Sequence, residues 1–314
     1  MLEPNMAIEQ KRKRKNPYIP NLAAANFKPT QDWSVEEAAK LYHAARFPFK
    51  VDEVIYKDCV EGMQSLGSES IDVVVADPPF GLQFSGKESI YNRDRRLVVE
   101  GYREIHHGDY QEFSTKWLKE VRRVLKPTGT AWVFSGWTHV RDILNSLEDA
   151  DLDVVNHIIW KYQFGVFTMR KFVSSHYHLL LTSKTPNYYF NKIMHYPLDV
   201  WDIKRTYNKG EVKNGTKLPR ELVARCIEFG SKPGNLVLDP FMGNGTTAVC
   251  SKGTFRHFLG FEINQSMRDV INWNLESTKL GFMYTPYSNR EEEIVTRARQ
   301  RYRRPREEAR LSDF

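Results

Sequence analysis

Two patterns of apolar residues alternate along the chain. Short, continuous apolar runs that end in turn residues are typical of buried strands. They predict strands at Ile71–Ala76, Thr130–Phe134, Leu236–Leu238 and Phe258–Phe261, and two adjacent strands at Val154–Trp160 and His178–Ser183. Apolar residues three or four positions apart are typical of one helix face. They predict helices at Phe113–Leu125 and Leu218–Phe229. A capping-box pattern at Ser34 and Glu37 predicts the start of a further helix, which extends to about Arg46.

Strands that alternate with helices predict an α/β fold, with a doubly wound, mostly parallel sheet covered by helices on both faces. The two adjacent strands at 154–160 and 178–183 predict a β-hairpin at one edge of that sheet. In such sheets, ligands bind beyond the carboxyl ends of the strands. The residues that directly follow the predicted strands are therefore the first candidates for function.

A glycine-rich turn follows the predicted strand at Leu236–Leu238. The segment from Asp239 to Ala248 reads DPFMGNGTTA, and Glu262 ends the next predicted strand, 19 positions after Gly243. Glycines let a backbone approach a ligand closely, and an acid at this spacing can bind two ribose hydroxyls. The pattern fits a dinucleotide site, an adenosyl-cofactor site or a simple tight turn. It is not a P-loop, because Thr246 stands where the lysine would be.

A second motif, Asp77-Pro78-Pro79-Phe80, ends the strand at Ile71–Ala76. The Asp77 carboxylate and the Pro78 carbonyl can accept the two hydrogens of a planar amino group, while Phe80 stacks on the ring that carries it. Alone, the same tetrapeptide is equally compatible with an Asp-Pro turn of no chemical consequence.

Taken together, the two motifs resemble those of the S-adenosylmethionine-dependent DNA amino-methyltransferases. The amino-group motif precedes the cofactor turn, which is similar to the permuted β group of that family. Further similar segments are Ile55–Cys59, Ile159–Lys161, Ser175-His176 and Leu259–Glu262, so that the resemblance spans about Val51 to Asn264. It implies a Rossmann-like methyltransferase fold, S-adenosylmethionine as cofactor and no cysteine nucleophile.

The resemblance also implies roles for individual residues. The catalytic set is Asp77, Pro78, Pro79 and Phe80. The cofactor-binding set is Asp58, Cys59, Asp239, Phe241, Gly243, Asn244, Gly245, Thr246, Thr247, Glu262 and Lys217. The chain departs from the family pattern at Thr216-Lys217-Leu218-Pro219, where the lysine is displaced by one place, and at His176-Tyr177. Aspartate at position 77 implies N6 of adenine as the target, with N4 of cytosine as the alternative.

The target base must leave the duplex to expose its amino group, so base flipping is expected. Basic residues near aromatic ones suggest DNA contacts, although each is equally compatible with a solvated loop. The candidates are Arg93, Arg95, Arg96, Lys161, Arg170, Lys171 and His176. Two other classes of function stay open. A nicotinamide oxidoreductase would leave Asp77–Phe80 unexplained. A non-catalytic DNA-binding subunit would have no need of Asp77 and the glycines.

Charge is concentrated at the ends of the 314-residue chain, whose net charge is +7. Residues 1–15 contribute +3 and residues 290–314 contribute +2, which leaves +2 for the body. We expect a flexible basic arm over 1–33 and a methyltransferase domain over 34–286, with target-recognition insertions near 84–110 and 186–216. A charged tail over 287–314 follows the domain.

Three widely spaced cysteines support neither a disulfide framework nor a CxxC zinc site, and indicate a reducing compartment. The apolar runs are too short for a membrane span. We therefore expect a cytoplasmic, nucleoid-associated protein. His106, His107 and His176 have no ligand partner at a recognisable spacing, so no metal is expected. By analogy with the family, a homodimer and a cognate restriction endonuclease are possible partners.

Overall fold

The computed structural model describes residues 28–79, 105–163, 165, 169–170, 172–195, 197–205 and 217–290. Within these residues, eight strands form one sheet. They are β1 (Glu53–Ile55), β2 (Ile71–Ala76), β3 (Leu125–Ser135), β4 (Asp153–Lys161), β5 (His176–Ser183), β6 (Val200–Asp202), β7 (Leu236–Asp239) and β8 (His257–Phe261). Their order across the sheet is β1-β8-β7-β2-β3-β5-β4-β6.

The sheet is mostly parallel, as the sequence predicts. Strands β1, β8, β7, β2 and β3 are parallel neighbours, and β5 joins β3 in the antiparallel direction. The predicted hairpin is β4 and β5, which pair antiparallel. It does not form the outermost edge, because β6 pairs in parallel with β4. Only three residues long, β6 has no periodicity that a sequence pattern could reveal.

Seven α-helices lie before, between and after the described strands. They are α1 (Val35–Ala44), α2 (Cys59–Gln64), α3 (Tyr110–Val124), α4 (Val140–Asp149), α5 (Arg220–Gly230), α6 (Thr246–Gly253) and α7 (Arg268–Glu276). The capping box that opens α1 is present, since the Glu37 amide donates to Ser34 and the Ser34 amide donates to the Glu37 carboxylate. The helix ends at Ala44, two residues earlier than predicted.

The prediction for Leu125 was wrong. Its spacing fits the face of α3, but Leu125 pairs with Ile71 and begins β3 five residues before the predicted strand. An ion pair between Lys126 and Asp72 at 2.8 Å holds this extension against β2. Gly129 permits the close approach, because a Cβ there would lie 2.9 Å from the Asp72 carbonyl oxygen. Pairing between strands thus overrides a local helical pattern.

The sheet has a buried core on each face. Along β2, Val73 and Val75 belong to a cluster with α1, α5 and α6, while Val74 and Ala76 belong to a second cluster with α2, α3 and α4. Successive side chains of a strand point to opposite faces, so a central strand covered on both sides is apolar throughout. This arrangement makes β2 a rigid support for the residues that follow it.

Both ends of the described chain are bonded to the sheet domain. The Gln31 amide donates to Asn191, and the amides of Tyr287 and Ser288 donate to Asp32. Arg290 forms two bonds, of 2.7 and 2.8 Å, with the buried Glu228 carboxylate. The boundaries of the arm, the insertions and the tail stay predictions. Within the described residues, no helix has both the length and the apolar character needed to cross a membrane.

Candidate active site

Four neighbouring parallel strands end side by side at the carboxyl edge of the sheet. Val74 of β2 is paired with Leu238 of β7, so that Asp77 and Phe241 each lie three residues beyond a paired position. On the other side of β7, Asp239 pairs with Gly260 of β8. The last residues of β1 and β8 are paired as well. The topology therefore brings both sequence motifs to one edge, on adjacent strands.

The first motif leaves a rigid strand and turns immediately. Asp77 is half-buried, Pro78 is buried and Pro79 is half-buried. Neither proline has an amide hydrogen, so no backbone donor from these two residues competes for the nearby acceptors. Phe80 lies outside the described residues.

The glycine-rich turn requires glycine for its backbone conformation. Gly243 has φ of 52° and Gly245 has φ of 78°, values that other residues adopt only at a cost. A Cβ at Gly243 would have no neighbour nearer than the Phe241 carbonyl oxygen at 3.8 Å. Open space thus lies over the Gly243 backbone, as a bound ligand requires. Gly245 caps the start of α6, and its amide donates to the Met242 carbonyl at 2.9 Å.

Glu262 ties the end of β8 to this turn. Its Oε2 accepts from the Gly243 amide at 2.7 Å and its Oε1 accepts from the Asn264 amide at 2.7 Å. Burial raises the pKa of Glu262, and the backbone hydrogen bonds oppose that rise. A carboxylate offers about four lone-pair sites. The backbone amides of Gly243, Asn264 and Ile263 therefore leave at least one of them for a hydrogen bond from a ligand.

Asp239 organises the same turn from inside. Its side chain is 5% exposed, and Oδ1 accepts from the Phe241 amide at 2.9 Å. Thr247, in the first turn of α6, adds a side-chain hydrogen bond. Burial is the larger effect and raises the pKa of Asp239 to about 7. The carboxyl group thus holds the turn together rather than facing open solvent.

The remaining cofactor candidates lie around these two acids. Asp58 caps α2, with Oδ1 accepting from Val60 and Glu61 at 2.9 and 3.3 Å. Cys59 is buried, and burial raises its pKa to about 12. The Phe241 ring packs edge-on against Trp117, with centroids 5.2 Å apart.

Asn244 connects the turn to a helix from elsewhere in the chain. The Asn274 side chain of α7 donates to the Asn244 carbonyl at 3.0 Å. Lys217 lies before α5, and its charge is the smallest of the influences on the pKa of the Cys250 thiol of α6, which burial raises to about 12.

No sequence motif predicts a role for Tyr56 or Arg268. The Arg268 guanidinium lies 3.9 Å from the centre of the Tyr56 ring. The Tyr56 hydroxyl is buried and has no hydrogen-bond partner among the described residues. Burial raises the pKa of Tyr56, with a further contribution from Glu262. An unsatisfied hydroxyl near Glu262 fits a polar ligand. The position of Tyr56 between β1 and Asp58 was the available signal, whereas Arg268 had none.

Two DNA-contact candidates face each other across the hairpin. Lys161 ends β4 directly opposite His176, which begins β5, and Lys161 is paired with Asp202 at 3.2 Å. Arg170 is exposed in the segment between these strands. Met169 and Phe172 beside it are 91% and 99% exposed. The other candidates, Arg93, Arg95, Arg96 and Lys171, lie outside the described residues.

Arg205 follows β6 and packs on aromatic side chains near Lys161 and His176. Its guanidinium lies over three rings of the same half of the sheet, at 4.7 Å from Trp160, 4.8 Å from Tyr162 and 5.2 Å from Tyr177. Cation–π contacts of this kind join β4, β5 and the segment after β6. They brace the backbone close to Lys161 and His176.

Comparisons with known proteins agree with this geometry. A family model described as DNA methylase, for the N6/N4 methyltransferases, matches residues 71–272. The type II methyltransferase M.HinfI of Haemophilus influenzae is 30% identical over 249 residues, which cover 73% of this chain and 69% of the relative. M.HpaI of Haemophilus parainfluenzae is 28% identical, with 73% and 76% covered.

Solved structures share the fold. The M1.HpyAVI–SAM complex superposes with a TM-score of 0.53 at 20% identity, covering 71% of this chain and 98% of the other. The cytosine-N4-specific PvuII DNA methyltransferase gives 0.54 at 16% identity, covering 76% and 100%. At these identities the likeness concerns the fold alone.

Proposed function

The chain belongs to the N6/N4 family of DNA methylases and is a DNA methyltransferase that uses S-adenosylmethionine, and we propose that it methylates the exocyclic N6 of adenine. The choice of adenine rests on Asp77, because the family resemblance associates an aspartate at this position with adenine. The supporting observation is the pairing of β2 with β7, which brings Asp77-Pro78-Pro79 next to the glycine-rich turn.

The described residues fit the cofactor. Open space over Gly243, a remaining lone pair of Glu262 and the unsatisfied Tyr56 hydroxyl provide a backbone cradle, a ribose partner and a polar contact. We propose that the turn from Asp239 to Thr247 binds the methionine end, with Lys217 near its carboxylate. Asp58 and Cys59 bind the adenine end. When bound, S-adenosylmethionine supplies an electrophilic methyl group.

The chain's own contribution to the chemistry comes from the first motif. The Asp77 carboxylate and the Pro78 carbonyl accept the two hydrogens of the target amino group. These bonds favour a tetrahedral nitrogen, so its lone pair is no longer delocalised into the ring. The carboxylate also stabilises the positive charge that develops on the nitrogen. Pro79 keeps the turn rigid, and Phe80 stacks on the flipped base.

DNA binding uses the far half of the same edge. Lys161 and Arg170 contact phosphates, and His176 lies opposite Lys161 where a flipped base would enter. We place Arg93, Arg95, Arg96 and Lys171 in the same interface from the sequence alone. A homodimer, a cognate restriction endonuclease and association with the nucleoid stay predictions.

Product analysis tests the proposed base directly. The purified full-length chain would methylate a mixed-sequence DNA with S-adenosylmethionine, and the nucleosides would be separated by mass spectrometry. We expect N6-methyl-2′-deoxyadenosine among the nucleosides. The Asp77→Ala variant should yield none. N4-methylcytosine as the only product would replace the proposal with its alternative. Absence of any methylated base under saturating cofactor would contradict both.

A further inference from the structure

Two histidines and an aspartate meet where α3 and α4 begin. His107 lies in a short 3-10 turn, His107–Asp109, directly before α3. His139 precedes α4, and Asp142 lies in the first turn of that helix. Within the described residues, this is a group of three potential ligand side chains whose ligand atoms all lie within 4.8 Å of one another. His107 and His139 are 32 positions apart, so no local motif reveals them.

The contacts fix the direction of the His139 ring. Its Nδ1 lies 2.6 Å from Oδ2 of Asp142, so Nδ1 carries the proton and donates to the carboxylate. Its Nε2 is then an acceptor, and it lies 3.3 Å from Nδ1 of His107. A carboxylate behind an imidazole makes the opposite ring nitrogen a stronger ligand, an arrangement common behind metal-bound histidines.

From this geometry we propose that His107 Nδ1 and His139 Nε2 bind a divalent transition-metal ion of the zinc class. Two nitrogens at about 2.0–2.1 Å from a tetrahedral zinc are separated by about 3.3–3.4 Å. The observed 3.3 Å matches that separation. The other close histidine pair differs, since Nε2 of His157 and Nδ1 of His178 lie only 2.7 Å apart, at direct hydrogen-bond distance.

The site is rigid on one side and open on the other. His139 is 1% exposed, and its ring stacks on Tyr110 with centroids 4.0 Å apart. His107 is exposed, so an ion can enter from solvent and keep water in its remaining positions. The ion would join the beginnings of α3 and α4, beside the carboxyl end of β3. It would stabilise that junction.

Zinc titration of the full-length chain tests the site without a methylation assay. We expect one zinc per chain to compete with a chromophoric chelator. We expect His107→Ala, an exposed position that should not disturb folding, to abolish that binding. Asp142→Asn keeps both ligands and should weaken the affinity about 10–100-fold. His106→Asn, which keeps a capping group for the neighbouring turn, and His157→Gln should bind zinc like the unaltered protein.

Cobalt substitution identifies the ligand atoms. All three cysteines are buried, so the cobalt spectrum should lack a thiolate charge-transfer band and should disappear in His107→Ala. Equal zinc binding by His107→Ala and the unaltered chain would overturn the proposal, as would a thiolate band. An unaltered chain that binds no zinc would show that His107 simply donates a hydrogen bond to His139, which also overturns it.

Discussion

The carboxyl edge of the sheet has two halves that are built in different ways. In the half that we propose binds the cofactor (the cofactor half), at the ends of β1, β8 and β7, carboxylates accept hydrogen bonds from backbone amides: Asp58 from Val60, and Glu262 from Gly243 and Asn264. In the half that we propose contacts DNA (the DNA half), at the ends of β3, β4 and β6 and the start of β5, exposed side chains pair with each other. Lys161 and Asp202, for example, form an ion pair between exposed side chains.

This difference teaches where the molecule is preorganised. Hydrogen bonds from backbone amides to Asp239 and Glu262 hold the glycine-rich turn of the cofactor half, so the turn keeps one shape before a ligand arrives. The DNA half exposes its charges and the large apolar side chains of Met169 and Phe172. A site for chemistry needs fixed geometry, whereas a surface that reads DNA can adapt on binding. Substitutions in the two halves should therefore have separable effects.

The largest effect is expected at the junction of the two halves. Asp77→Ala removes the acceptor that orients the amino group and stabilises charge, and we expect a loss of about 10³-fold or more in the single-turnover rate. Radiolabelled methyl incorporation at saturating cofactor measures it. Asp153→Ala, an exposed aspartate at the start of β4, serves as the control. A rate for Asp77→Ala within tenfold of the unaltered enzyme would refute the assigned role.

The next effect concerns the shape of the cofactor turn. Gly243 has a positive φ, so Gly243→Ala should cost about 1–2 kcal/mol and lower the unfolding temperature by several degrees. Gly67→Ala is the matched control, because a Cβ there meets nothing within 4 Å and its backbone is not strained. Thermal unfolding compares the two. Equal unfolding temperatures would mean that the turn does not need its left-handed residue.

A pH-dependent loss of stability should follow from Asp239. Burial raises its pKa from 3.8 to about 7, so the folded state holds the proton more tightly than the unfolded state. The stability that this provides is complete below about 3.8 and is lost as the pH rises through about 7. Asp239→Asn cannot titrate. As the pH rises between these two values, the unfolding temperature of the unaltered protein should fall by a few degrees relative to that of this variant. A difference in unfolding temperature that stays constant over this pH range would contradict the assignment.

The smallest effect is expected in the DNA half. Arg170→Ala removes one phosphate contact, so we expect a few-fold weaker DNA affinity and a decrease of about one in the salt-dependence slope. Fluorescence anisotropy at several salt concentrations provides both values. Lys232→Ala, exposed at the opposite edge before β7, should change neither. An unchanged slope for Arg170→Ala would remove it from the interface.

The same contrast explains what the sequence could predict. Strands β2, β7 and β8 are buried on both faces, so each appears as a continuous apolar run, and the polar turns after them lie within a few residues. The DNA half depends on pairing across the sheet, which left β6 unpredicted. At the opposite edge, pairing with β2 likewise left the extension of β3 at Leu125 unpredicted. Tyr56 with Arg268, and His107 with His139, likewise meet only after folding.

The central claim is that the turn after β2 performs the chemistry while the turn after β7 and the end of β8 bind the cofactor. Calorimetric titration of S-adenosylhomocysteine into Asp77→Ala and Glu262→Ala, with the exposed Glu276→Ala as control, tests it most directly. We predict unchanged affinity for Asp77→Ala and Glu276→Ala, and affinity at least tenfold weaker for Glu262→Ala, which loses charged hydrogen bonds to ribose. Equal weakening by Asp77→Ala and Glu262→Ala, or unaltered binding by Glu262→Ala, would contradict the account.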